Sequence, residues 1–260
     1  MARSVEVSVV LGTYNRLDFL RGTIKSIRKD LKDLSAEIIV VDGGSNDGTL
    51  KWLVKQKDII AVIQHNHGTW LGKELERKSW GYFMNLGFKA ASGKYICMLS
   101  DDCLIVPGAI KNGIDKFKNG VGAVAFYWRD WPEKEKYHVA GTLGNKIMVN
   151  HGLFLKEGLE KINYIDEGNF EFYHADADLC LRLWDAGYQV ITSPNSFIEH
   201  FSHANAVVKK ANTESIKRDW NSLLARWDKY HLNRFFNRLG TTLEKGFKDP
   251  SKTHKNFPPI

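Results

Sequence analysis

Apolar residues fall into short runs that alternate with longer stretches of helical spacing. Residues 5–11 alternate and then become wholly apolar, which predicts a strand. Leu17, Leu20, Ile24, Ile27 and Leu31 then recur on one helical face. A second strand is predicted over 37–41, a short helix to about residue 56, and a strand over 59–64. Residues 65–79 show no period and read as irregular. A helix over 80–91 leads into the apolar run 95–99. Strand and helix alternate, so the pattern predicts an α/β fold with a parallel sheet and right-handed crossovers.

The second half is less regular. Strands are predicted over 121–127 and 146–150, a loop and helix over 152–162, and a strand-like run at 190–192. Trp128, Trp131 and Tyr137 suit either the core or a sugar-stacking surface. Ile216, Trp220, Leu223, Leu224, Trp227 and His231 recur at helical spacing, with Lys217, Arg218, Arg226 and Lys229 between them. This predicts an amphipathic basic helix packed on the domain. Past Gly240 the chain is polar, with Pro250, Pro258 and Pro259, and reads as a mobile tail. The chain thus divides into a globular region 1–205 (halves 1–102 and 103–205), a helical extension 206–240 and a tail 241–260.

Composition narrows the class. The 260 residues suffice for one large α/β domain. Cys97, Cys103 and Cys180 are odd in number and unpaired in spacing, which predicts reduced thiols in a cytoplasmic setting and no zinc knuckle. No apolar run reaches membrane-spanning length, and no signal-peptide pattern opens the chain. The net charge is +7, yet residues 1–206 hold 25 basic and 25 acidic side chains, and residues 207–260 hold 12 and 5. No nucleic-acid-binding signature accompanies the basic end, so no nucleic acid partner is expected. A solvated helix face, or a peripheral contact at the inner face of a membrane, fits this charge.

The candidate chemistry lies where strands end. Thr13-Tyr14-Asn15-Arg16, the glycine-rich stretch 42–49 and Ser100-Asp101-Asp102 all follow predicted strands. In open α/β sheets, ligands gather at that edge. Asp101 and Asp102 repel each other unless a cation or donor sits between them. A hard divalent ion shared with substrate phosphates would satisfy them. The same pair also fits a polar strand end that caps the next helix. No Gly-x-Gly-x-x-Gly or phosphate-loop pattern is present, which argues against dinucleotide oxidoreductases and ATPases.

These motifs resemble the inverting glycosyltransferases of family 2, with the GT-A fold. The resemblance rests on Thr13-Tyr14-Asn15-Arg16, on the stretch 40–49 that holds Asp42, and on Asn85-Leu86-Gly87. It also rests on Ser100-Asp101-Asp102 and on the stretch 173–182, which holds Asp176 and precedes Ala186-Gly187-Tyr188. It covers about residues 5–205 and implies a Rossmann-like, mostly parallel sheet flanked by helices. It implies that Thr13, Asn15, Arg16, Asp42, Asn85 and Asp101 bind a nucleotide-sugar donor, UDP- or dTDP-linked. It implies Asp102 as ligand to Mn²⁺ or Mg²⁺, with His200 near the metal or diphosphate, and Asp176 as general base. A glycan or lipid-linked acceptor is implied as partner. Ser100, Gly43 and Ala175 depart from the family's frequent acidic residues at those places.

The residues support these roles on their own chemistry. Loss of a nucleoside diphosphate builds negative charge on phosphate oxygen, which a dication stabilises. An attacking hydroxyl must shed its proton, and a carboxylate can take it. Asp176 alone reads as a first-turn helix carboxylate, a place compatible with the role of a base. Asp178 reads as structural, an i,i+4 partner of Arg182. Of His200 and His203, three apart, His200 is the favoured site residue; His65, His67, His151 and His174 show no ligand spacing. His174, two residues before Asp176, is expected near the acceptor pocket. A sugar nucleotidyltransferase and a non-catalytic nucleotide-sugar or glycan binder are the alternative functions.

Overall fold

The structure is a computed structural model and describes residues 4–130, 136–201, 215–228 and 238–240. The predicted tail 241–260, Trp131, His203 and His231 lie outside the described residues.

Four parallel strands form the first half of the sheet: β1 (Val7–Thr13), β2 (Ala36–Asp42), β3 (Ile59–Ile63) and β6 (Tyr95–Ser100), in the order β6-β1-β2-β3. The inner runs of β6, β1 and β2 are apolar because both faces are covered, whereas β3 at the edge leaves Ile60 and Ile63 exposed. On one face Val10 and Ile39 meet Met84 and Phe88 of α3 (Trp80–Ala90). On the other, Val9, Leu11 and Val40 meet Leu20, Ile24 and Ile27 of α1 (Leu17–Asp30). The short α2 (Thr49–Leu53) links β2 to β3. Residues 65–79, read as irregular, contain a small antiparallel ladder of β4 (Thr69–Trp70) with β5 (Lys73–Glu74).

The second half of the sheet is mixed. After β7 (Cys103–Ile105) and α4 (Ala109–Ile114) come β8 (Val121–Asp130), β9 (His138–Thr142), β10 (Lys146–Ile147), β11 (Gly152–Leu155) and α5 (Lys156–Lys161). Then follow α6 (Ala175–Asp185) and β12 (Gln189–His200). β11 lies between β6 and β8, antiparallel to both, so the sheet passes without a break from one half to the other. The sequence read its residues as loop. Four residues behind a glycine carry no usable period, and only the flanking strands make them a strand. β12 is likewise far longer than the run at 190–192. Its register against β8 shifts between Ser193 and Phe197, where Pro194 and Asn195 break the apolar pattern.

Gly152 shows how tightly β11 is seated. At φ +152°, a Cβ there would lie 2.2 Å from the carbonyl oxygen of Val124 and 3.2 Å from Cα of Ala125. Both are backbone atoms of β8 and cannot step aside alone. Gly152→Ala is therefore expected to destabilise the protein by more than about 1 kcal/mol, read as a lower urea midpoint.

The basic C-terminal helix, α7 (Ser215–Arg226), packs its buried line on the domain. Its inward line is Ser215, Asp219 and Leu223, continued by Trp227 just past its end. Ile216, placed on the apolar face by the sequence, is exposed, and the inward position is the carboxylate of Asp219. That carboxylate accepts the backbone N–H groups of Glu171, Phe172 and Tyr173 at 3.1, 2.9 and 2.9 Å. Buried donors left unpaired cost about 1–3 kcal/mol each. Asp219→Ala is expected to destabilise the fold by at least about 3 kcal/mol, measured by chemical denaturation. No helix among the described residues is long and apolar enough to cross a membrane.

Candidate active site

Three strand-end loops meet at the carboxyl edge of β1, β2 and β6. Asn15 sits in the left-handed region, at φ 53°, which asparagine tolerates. Its backbone N–H donates to Ser45 Oγ at 2.8 Å, and its side-chain oxygen accepts from the N–H of Asn46 at 2.8 Å. This clips the Thr13–Arg16 turn onto the glycine-rich loop. Asp42 ends β2, fully buried, with Oδ1 accepting the N–H groups of Gly44 and Ser45 at 2.8 and 2.7 Å. Its Oδ2 is buried with no hydrogen-bond partner. Beside this loop the rings of Tyr14 and His67 stack at 4.5 Å.

Asp101 and Asp102 are both buried, and the donor between them is Arg16. Its Nη1 donates to Asp101 Oδ1 at 2.8 Å and to Asp102 Oδ2 at 2.9 Å. Thr13 Oγ1 donates to Asp101 Oδ2 at 2.7 Å, and Thr23 Oγ1 to the Asp101 carbonyl at 2.7 Å. Burial raises the Asp101 pKa above the ordinary carboxylate range, against the pull of Arg16. Burial pushes Asp102 the same way, but His200 and Arg16 outweigh it and hold Asp102 below that range.

Asp102 Oδ1 makes no hydrogen bond and lies 3.4 Å from His200 Nε2. The other ring nitrogen of His200 lies 3.9 Å from Asp130 Oδ1 at the end of β8. Thus Thr13, Asn15, Arg16, Asp42, Asp101, Asp102 and His200 gather at one edge of the sheet. Asn85 does not join them. Its two amide hydrogens go to the Ile165 carbonyl at 2.8 Å and Glu167 Oε1 at 2.7 Å. Its oxygen accepts the N–H of Ile165 at 3.0 Å. It anchors the 165–167 loop, in place of the donor contact expected from the sequence.

Asp176 is the second residue of α6. The helix starts after His174, held at φ 62° with its ring 5.2 Å from that of Trp220. Asp176 accepts from the N–H of Ala177 and from Asn150 Nδ2, each at 2.8 Å. Burial lifts its pKa to about 6, against those hydrogen bonds. Asp178 behaves as the sequence suggests. Fully buried, it accepts from Arg182 Nε at 2.8 Å and Trp227 Nε1 at 2.8 Å.

Residues 149–151 join the two carboxylate regions, although no sequence pattern singles them out. The Val149 N–H donates to Cys180 Sγ on α6 at 3.2 Å. Asn150 holds Asp176. The ring of His151 lies 4.9 Å from that of His200, which faces Asp102. Consecutive side chains, Asn150 and His151, therefore reach toward Asp176 and toward the Asp102 side of the site. Burial depresses the His151 pKa to about 3, with His200 adding to the shift.

A Rossmann-like half-sheet ending in paired carboxylates, joined to a mixed half that carries a separate carboxylate, defines a GT-A glycosyltransferase scaffold. The chain belongs to glycosyltransferase family 2. The profile of "Glycosyl transferase family 2" matches residues 8–174. The GalNAc(5)-diNAcBac-PP-undecaprenol beta-1,3-glucosyltransferase of Campylobacter jejuni is 29% identical over 173 residues, 64% of this chain and 47% of that protein. Protein CgeD of Bacillus subtilis is 27% identical over 122 residues, 47% of this chain and 28% of that protein. The chain thus spans less than half the length of either relative. The mannosyltransferase PcManGT of Pyrobaculum calidifontis, solved with GDP-Man and Mn²⁺, superposes with a TM-score of 0.61 at 17% identity, over 86% of this chain and 65% of that one. S. aureus TarS 1–349 with UDP gives 0.58 at 16% identity, over 85% and 66%.

Proposed function

We propose that this chain transfers a sugar from a nucleoside-diphosphate donor to an acceptor hydroxyl, by single displacement with inversion and with Asp176 as general base. The observation that carries this reading is the Asn150–His151 link. It ties the raised-pKa carboxylate of Asp176 to the strand edge where Asp42, Asp101 and Asp102 lie.

The unpaired Oδ2 of Asp42 can accept an N–H from a pyrimidine base, and the neighbouring Tyr14 ring offers a flat apolar face. This favours UDP- or dTDP-sugars. The buried, unpartnered Oδ1 of Asp102 with His200 Nε2 beside it fits a divalent cation such as Mn²⁺ or Mg²⁺. Such an ion, when bound, supplies positive charge against the departing diphosphate. Arg16 orients both carboxylates and keeps Asp102 ionised. Asp176 is poised near neutral pH, where a base accepts a proton in the transition state with good driving force. Asn150 holds its carboxylate through a 2.8 Å hydrogen bond. The GDP-Man, Mn²⁺ and UDP carried by the structural neighbours support this donor class. The name of the Campylobacter relative supports a lipid-linked glycan as acceptor.

The test is release of nucleoside diphosphate from a panel of UDP-, dTDP- and GDP-sugars, with and without Mn²⁺. The product's anomeric configuration is then read by NMR. Inverted product from a pyrimidine donor is expected. Retained configuration, or no binding of any nucleoside diphosphate by calorimetry, would overturn the reading.

A further inference from the structure

We propose that Cys103, His151 and His200 form a second cation site, suited to a borderline or soft ion of the zinc class, beside the carboxylates of the donor edge. Three strands bring these residues together. Cys103 opens β7, His200 closes β12 and pairs with Cys103 in register, and His151 stands just before β11. Cys103 Sγ lies 3.9 and 3.7 Å from Nδ1 and Nε2 of His151. One donor atom from each of the three residues lies within 4.8 Å of the others, the one such group among the described residues.

The spacing suits coordination. With Zn–S near about 2.3 Å and Zn–N near about 2.0–2.1 Å, neighbouring ligand atoms of a tetrahedron stand roughly 3.3–3.6 Å apart. The sulfur–imidazole separations already approach this. The hydrogen-bond record points the same way. His200 Nδ1 is buried without a partner, so the ring can rotate without breaking a bond there. Asp102 and Asp130 lie 3.4 and 3.9 Å from the His200 ring and place negative charge beside the site. An ion enters from the side of His200, which is partly exposed, since Cys103 and His151 are buried.

Donor softness separates this site from the one at Asp102. Thiolate and imidazole favour zinc-class ions, whereas carboxylate oxygens favour Mg²⁺ and Mn²⁺. Binding releases the Cys103 thiol proton to solvent, the sulfur supplies both electrons of the new bond, and nothing is oxidised. His200 is common to both regions. Once held by the soft ion, it is lost to Asp102, so zinc would act against the transfer reaction. The site itself does not depend on the transferase reading, and binding tests it directly.

Co²⁺ alone is the probe, titrated into the full chain under reducing conditions. One equivalent is expected to produce a sulfur-to-cobalt charge-transfer band that Zn²⁺ bleaches and a hundredfold excess of Mg²⁺ does not. Cys103→Ser should abolish the band and His151→Gln should weaken Co²⁺ binding at least tenfold, while Cys97→Ser keeps it. X-ray absorption on the unmutated chain with one equivalent of Zn²⁺ covers the case in which a variant fails to fold. It should show one sulfur at about 2.3 Å with a nitrogen shell. A shell of nitrogen and oxygen only, a band that survives Cys103→Ser, or displacement by Mg²⁺ would overturn the proposal.

Discussion

Asp176→Asn is expected to lower turnover by about 10²–10⁴ while nucleoside diphosphate affinity stays within about twofold. The amide keeps the shape and can still meet Asn150, but it cannot take a proton. The wild-type pH profile should carry the same signature. Because burial lifts Asp176 to about 6, kcat/KM should fall about tenfold per pH unit below that value and level off above it. The stability effect has the opposite sign. A carboxylate whose pKa is raised in the fold is favoured there in its protonated form. Its contribution is present at low pH and lost as pH rises through about 6. At neutral pH the Asn variant should therefore unfold at the same temperature as wild type or a higher one. A variant with unchanged turnover, or a wild-type profile flat down to pH 4, would remove Asp176 from the mechanism.

Asp102→Asn is expected to reduce turnover by about 10²–10³ and to abolish divalent-ion dependence, read by Mn²⁺ titration in a diphosphate-release assay. The substitution removes the negative charge whose Oδ1 is buried, unpartnered and beside His200. The fold should survive it. Arg16 keeps its 2.8 Å bond to Asp101, and the repulsion between neighbouring carboxylates disappears. A midpoint of thermal unfolding close to wild type, together with lost Mn²⁺ response, distinguishes a lost ligand from a lost fold. Full activity with Mn²⁺ in the variant would place the cation elsewhere.

Some of this was legible in local pattern. The buried strands of the first half declare themselves because both faces are covered, so their apolar runs are unbroken. Thr13, Asn15, Asp42, Asp101 and Asp102 follow directly from the ends of those strands. Asp178 with Arg182 is a one-turn helical pair. Asn85 shows the limit. Its place in a motif suggested a donor contact, yet the 165–167 loop, eighty residues away, consumes its amide. Asp219 shows another limit, since helical spacing gave no sign that a carboxylate on the inward line would hold three amides of the 171–173 segment.

Order along the chain was enough to determine the α/β class and the strand ends where Asp42, Asp101 and Asp102 stand, because strand ends and glycine-rich turns are set by neighbours a few residues apart. Which side chains complete the site was decided only in three dimensions. Asn150 and His151 gain their meaning from β11, whose strand state depends on β6 and β8 on either side. Arg16, Asp102, Cys103, His151 and His200 meet because separate strands converge at one edge, and no spacing in the sequence records that convergence.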